Sequence, residues 1–348
     1  VKNIMSMITA RTKVITDYQS RALDEEIFSS KEPVVIKGLI NHWKLAEQGR
    51  LSDSHAINYL KSHYNGCPST ACIGSSDVKG RFFYNEERTQ LNYDSRTMRV
   101  DEVLNLIQEN FDRENPSSYY IASNVIDTHF PDFRRENDIV IPRPESIVPL
   151  EDLRISIWIG NRTTACCHYD ASDNLACCVV GNRRFTLFPP DQIANLYPGP
   201  LSPTPGGQVL SMVDFNNPDF NLYPKFADAI QYGQIAELEA GDALYLPSMW
   251  WHQVESKSRF NVLVNYWWSD SAKHMGPAMN VLYHALLSLR DKPEHEKLAW
   301  KHIFDYYIFG DAEQAAEHLP EPARGYLGEL DVAKSKMLRA MLLNKLNR

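Results

Sequence analysis

The sequence predicts a mainly β core, built as a sandwich or barrel, with an α/β flank before it and a helical segment after it. Three observations carry this. Between Leu153 and Trp268, short apolar runs alternate with turn residues and helical spacing is almost absent. Before that stretch, helix and strand patterns are mixed. From about Ser271 onward the apolar residues recur with a helical period. The expected division is therefore 1–270 for the core with its flank, and 271–348 for the helical segment.

The flank opens with PVVIKGLI (Pro33–Ile40), a β-branched run closed by Gly38 and read as a strand. SDSHAINYLKSHY starts on the capping residue Ser52 and spaces Ile57, Leu60 and Tyr64 as a helix does. VDEVLNLIQENF places Val103, Leu104, Ile107 and Phe111 on one helical face. SSYYIASN (Ser117–Asn124) reads as a strand. In the core, LRISIWIG alternates. NLACCVVG and NRRFTLFPP flank Gly181-Asn182, a pair that predicts a hairpin turn. The Pro/Gly/Asn-rich connection from Tyr197 to Pro224 is too long for an ordinary loop and is expected to be functional or packed as a lid. QIAELEAGDALYLPSMWWHQVESKSRFNVLVNYWW supplies three or four more strands. In the last segment Leu330, Met337, Leu338, Met341 and Leu342 are expected to form one stripe opposite a basic face, suited to packing on the core or to a homodimer.

The bulk numbers exclude some classes. The 348 residues are 43% apolar, enough for a sizeable core. The net charge of −8, without a basic block, argues against general nucleic-acid binding. No apolar run is long enough to span a bilayer, and no secretory h-region stands at the start, so no membrane association and a cytoplasmic location are expected. The six cysteines include two adjacent pairs, Cys166-Cys167 and Cys177-Cys178. Neighbours on a strand point to opposite faces, so neither pair predicts a disulfide, and no CxxC suggests a zinc ribbon. Buried reduced thiols are expected, although Cys166 shares strand parity with His168.

The chemistry concentrates in TACCHYDASDN. His168 and Asp170 are two apart, so on a strand they share a face and aim at one point. An H-x-D triplet alone is weak. His252, in GDALYLPSMWWHQV, offers a third ligand from another strand of the same β-rich half. Together the three would make a 2-His-1-carboxylate triad, which leaves positions open on Fe(II). No G-x-S-x-G elbow supports a serine-nucleophile reading.

HYDASDNLACCVVGNRRFTLFPPDQIANLYPGP, VDFNNPDFNLYPKF, LEAGDALYLPSMWWHQVES and VNYWW resemble the JmjC/cupin-type 2-oxoglutarate oxygenases, in particular their asparaginyl-hydroxylase and tRNA-base-hydroxylase branches. The resemblance runs from about Lys31 to Ser269. It implies a double-stranded β-helix, or jelly-roll, and Fe(II) held by His168, Asp170 and His252, with 2-oxoglutarate and O2 as co-substrates. It further implies that Arg183 stands where the family has a lysine for the far carboxylate of 2-oxoglutarate, with Tyr120 beside it. Asn174, Asn265 and Trp267 match positions around the co-substrate and iron. Ala165 replaces a family threonine, and Thr163 and Thr164 lie close by. The activity implied is hydroxylation of a C–H bond, with a protein side chain as the leading substrate and a small molecule as another. Two alternatives stay open: a cupin enzyme using another metal without 2-oxoglutarate, and a non-catalytic binding module.

Overall fold

A computed structural model of the chain describes residues 4–16, 18, 23, 25–141, 153–269 and 271–347. It divides into two units, 1–269 and 270–348. The first unit is mainly β with α, a jelly-roll of the cupin type.

Two sheets form the barrel. The smaller takes, in chain order, β1 (Ala10–Arg11), β5 (Arg81–Phe82), β9 (Thr164–Tyr169), β11 (Arg183–Phe188), β12 (Gln234–Leu238) and β14 (Trp251–Ser256). The larger takes β2 (Lys13–Ile15), β3 (Val34–Ile36), β4 (Ser69–Gly74), β6 (Asp94–Met98), β7 (Ser118–Val125), β8 (Arg154–Gly160), β10 (Asp173–Val180), β13 (Ala243–Leu246) and β15 (Asn261–Trp268). Their spatial orders are β1-β12-β11-β14-β9-β5 and β2-β3-β13-β10-β15-β8-β7-β4-β6.

β10 and β11 lie in different sheets, which corrects the hairpin expected at Gly181-Asn182. β10 pairs with β13 and β15, whereas β11 pairs with β12 and β14. The turn instead carries the chain from one sheet to the other. Gly181 has φ +79°, and an added Cβ would lie 2.4 Å from Asn261 Oδ1, so the position requires glycine. An N-G or G-N signal reports the backbone bend. It does not report whether the flanking strands pair.

The central strands are buried on both faces, which explains the near-continuous apolar runs in β10 and β15, whereas the edge strands β1, β2 and β6 are mostly exposed. The outer face of the larger sheet packs Ile157, Cys177 and Val264 with Ile57 and Leu60 of the helix Asp53–His63 and Leu104 of the helix Val100–Glu109. The outer face of the smaller sheet packs Cys167, Phe188 and Trp251 with Phe215 and Phe226. Between the sheets lie Ala176, Cys178, Phe185, Leu187, Leu244 and Leu263. Cys177 and Cys178 therefore occupy different cores, and all six cysteines are free thiols. Val209, Leu210, Val213 and Phe215 of the long 197–224 connection are buried, so it is a packed wall.

The second unit contains the helices Met279–Ser288, Glu294–Phe304 and Val332–Leu346. Among the described residues, Ala315 and Ala316 are its only fully buried apolar side chains. The last helix corrects the two-faced reading. Lys334 and Lys345 fall at helical spacing with Leu338 and Met341 rather than opposite them, while Leu343 and Leu346 are exposed. Among the described residues no helix is long and apolar enough to cross a membrane.

Candidate metal centre

The adjacent antiparallel strands β9 and β14 put His168 directly opposite His252. Their rings stand 4.3 Å apart, centroid to centroid. Asp170 follows β9 by one residue, and its Oδ2 lies 3.7 Å from His252 Nε2. The ligand atoms of the three residues all lie within 4.8 Å of one another. No other such cluster of metal-binding side chains occurs among the described residues.

Hydrogen bonds fix the form of both imidazoles. His168 Nδ1 is 2.7 Å from the Cys166 carbonyl, and His252 Nδ1 is 2.9 Å from the Trp250 carbonyl. A carbonyl only accepts, so each Nδ1 carries the proton and donates it. Each Nε2 is left with a lone pair for a metal. Burial, and the nearby His168, hold the His252 pKa well below its ordinary value, although Asp170 opposes this. His252 is thus kept neutral and competent as a ligand near neutral pH.

A bulge shapes β9. His252 faces His168, but Val254 faces Ala165, so three β9 steps match two on β14. Ala165 and His168 consequently share the inner face. Cys166 is turned aside, packing with Phe83, Tyr84 and Leu210, with its thiol 3.4 Å from the Phe82 carbonyl. The parity that put Cys166 beside His168 fails because one extra residue reverses alternation. Burial pushes its thiol up to about 11, which removes thiolate reactivity.

Deeper between the sheets lies Arg183, only 2% exposed. Its Nε and Nη2 have no hydrogen-bond partner. Tyr120 is hydrogen-bonded to it, and burial pushes the Tyr120 hydroxyl up to about 12 despite the neighbouring guanidinium. Burial also lowers the Arg183 pKa. A buried cation with two unused donors is costly unless an anion meets it. Arg184, one residue on, points outward and pairs with Glu237 at 2.6 Å.

The larger sheet supplies the facing wall. Asn174 and Trp267 are cross-strand partners on β10 and β15, and Asn265 lies two residues from Trp267. Asn265 Nδ2 is 3.4 Å from Asn174 Oδ1, and Asn265 Oδ1 accepts from Trp158 Nε1 at 2.8 Å. Trp267 Nε1 is buried without a partner. Trp158 was legible in the alternation of LRISIWIG, which places it on the face of Ser156 and Arg154. Gly160 makes room for Tyr120: an added Cβ would lie 2.9 Å from Tyr120 Cδ2 and from the Tyr119 carbonyl oxygen.

Comparison with known proteins fits this geometry. The model of the cupin-like domain matches residues 20–274. The tRNA wybutosine-synthesizing protein 5 of Gallus gallus is 27% identical over 304 residues, covering 77% of this chain and 85% of that relative. JmjC domain-containing protein D of Dictyostelium discoideum is 30% identical over 239 residues, 65% of this chain and 49% of its own. Lysine-specific demethylase JMJ31 of Arabidopsis thaliana is 34% identical over 118 residues, 34% of this chain and 21% of its own. The match to the domain model runs from before β3 to beyond β15 and encloses the His-Asp-His cluster; the chain belongs to the cupin-like family.

Proposed function

We propose that this chain is an Fe(II)- and 2-oxoglutarate-dependent oxygenase that hydroxylates a C–H bond, with a protein side chain as substrate. The observation that carries the reading is Arg183. Its two partnerless donors are buried between the sheets that also hold the His168–Asp170–His252 cluster. That cluster suits Fe(II), and the guanidinium suits the far carboxylate of a 2-oxo diacid.

In this reading Fe(II), with 2-oxoglutarate and O2, supplies the C–H oxidation, releasing succinate and CO2. The chain's own residues bind and shield. His168 and His252 present Nε2 because their Nδ1 protons are committed to carbonyls, and Asp170 supplies the carboxylate. Arg183 binds the diacid bidentately, steadied by Tyr120. Asn265 is oriented by Trp158, and Trp267 offers a further donor. Phe82, stacked on Tyr120 at 5.8 Å, helps to exclude water. The missing threonine at Ala165 leaves the arginine to carry more of the anchoring. No side chain serves as a nucleophile.

A second reading, hydroxylation of a tRNA base, is favoured by the name of the relative matched over 85% of its length. The net charge of −8 weighs against it. The exposed apolar side chains of the second unit further support a homodimer through the C-terminal helices, in a cytoplasmic protein.

The test is anaerobic binding of 2-oxoglutarate to the Fe(II)-loaded protein, followed by the weak visible charge-transfer band. The expected result is a band that His168→Ala abolishes. Bound iron without a band would overturn the 2-oxoglutarate reading and favour another acid or another metal.

A further inference from the structure

At the end of the barrel that holds His168, Asp170 and His252, the inner face of the larger sheet finishes in Arg154. It shares that face with Ser156 and Trp158 by strand alternation, and it lies opposite Trp267 on β15. Trp267 in turn lies opposite Asn174, at the start of β10, four residues after Asp170. Arg154 is exposed, unlike Arg183.

Its guanidinium is braced from behind. Nε is 3.3 Å from Ser156 Oγ, and Nη2 is 3.1 Å from Ser123 Oγ and 3.3 Å from the Ser123 carbonyl. The guanidinium carbon sits 5.7 Å over the Trp267 ring. Ser123 has φ +52°, left-handed for a residue with a Cβ, at the bulge of β7 between Ile121 and Asn124. That bulge puts its hydroxyl and carbonyl oxygen under Arg154. All three contacts are to neutral oxygens. Nη1 has no partner, and no carboxylate pairs with Arg154, among the described residues. Arginine held on a ring with free donors is pre-shaped for a carboxylate.

We infer that Arg154 is a specificity residue, receiving a carboxylate of an acidic peptide substrate beside the reacting position. One braced cation fits one carboxylate. A nucleic-acid backbone calls for a basic stripe, which a chain of net charge −8 without a basic block does not offer. The inference rests on the oxygenase reading for the place where substrate arrives.

The test uses the full chain, loaded anaerobically with Fe(II) and 2-oxoglutarate. Two labelled peptide pools of equal length are compared by fluorescence anisotropy. One carries Asp or Glu at a fixed position of otherwise neutral random sequence; the other carries Asn or Gln there. The acidic pool should bind about tenfold more tightly, the value of one charge-assisted hydrogen bond. Arg154→Gln should abolish the preference, Arg154→Lys should retain part of it, and Arg154→Glu should turn it toward a lysine pool. No preference in the wild type, or a preference that survives Arg154→Gln, overturns the inference. So does tight binding of a tRNA pool that displaces the acidic peptides. The charge-transfer band reports separately on the co-substrate. Acidic preference without a band sinks the oxygenase reading and leaves the subsite standing; a band without preference does the reverse.

Discussion

The barrel unit and the C-terminal unit are both rich in apolar residues, yet they use them in opposite ways. In residues 1–269 nearly every large apolar side chain of a strand is buried, and the interior also encloses polar groups: Arg183, His252, Asn174 and Asn265. In residues 270–348 many large apolar side chains are exposed, from Val281 and Leu287 to Phe309, Met337 and Leu343, and among the described residues no polar side chain is fully buried. The difference shows that apolarity alone does not make a core. A core needs a second layer to close on. The barrel supplies two sheets facing one another, and the space between them is specific enough to hold a charge. The C-terminal helices leave large apolar side chains such as Leu287, Ile308 and Phe309 exposed.

The largest expected effect breaks that contrast on the C-terminal side. Leu338→Glu with Met341→Glu would place two carboxylates in each copy of the surface proposed to bury against a second chain. An unpaired buried charge costs several kcal/mol, so the wild type should sediment as a dimer and the double variant as a monomer at micromolar concentration. An unchanged mass would remove the motive for the dimer.

Arg183→Leu comes next, on the barrel side, and its two consequences have opposite signs. Affinity for 2-oxoglutarate should fall about 100-fold, from the loss of a bidentate charge-assisted contact. Stability without ligand should rise, because a buried guanidinium with two unused donors is gone. Titration of the charge-transfer band and thermal unfolding of the ligand-free protein read the two effects separately. A fall in both would mean that Arg183 is a structural cation. Gly160→Ala should cost about 2 kcal/mol, since its Cβ meets Tyr120 and the Tyr119 carbonyl at 2.9 Å. Its midpoint should drop in thermal unfolding while 2-oxoglutarate binding weakens only modestly.

Much of the site was legible in the sequence because strand alternation is a local rule. His168 and Asp170 are two apart. Arg183 and Arg184 separate cleanly into a buried, unpaired cation and a surface ion pair with Glu237. What sequence could not show were departures from alternation and long-range pairing. The β9 bulge turns Cys166 away and brings Ala165 inward, and only the register with β14 reveals it. The Gly181-Asn182 turn was visible as a turn, but the partners of its strands lie about fifty residues or more further along the chain. The C-terminal helix was visible as a helix. Its stripe was overdrawn, because Lys334 and Lys345 lie at helical spacing with Leu338 and Met341.

The smallest expected effect sharpens the comparison within the barrel itself. Thr186 lies on β11 between Ile235 of β12 and Gln253 of β14, fully buried, and its hydroxyl has no partner. It resembles Arg183 in leaving a buried polar group unpaired. It differs in lying at odd spacing from Arg183, on the other face of the strand and away from the inter-sheet pocket, so no ligand reaches it. A hydroxyl left alone in an apolar layer costs free energy, and valine has nearly its shape with a better fit to a strand. Thr186→Val should therefore stabilise the protein by about 1 kcal/mol, a rise of roughly 1–2 °C in Tm for a chain of this size, with the 2-oxoglutarate titration unchanged. A fall in Tm would show that the hydroxyl is satisfied in solution. If Thr186→Val and Arg183→Leu both stabilise the ligand-free protein, only the arginine variant should lose co-substrate, and that separates an orphan kept for binding from one that is merely tolerated by packing.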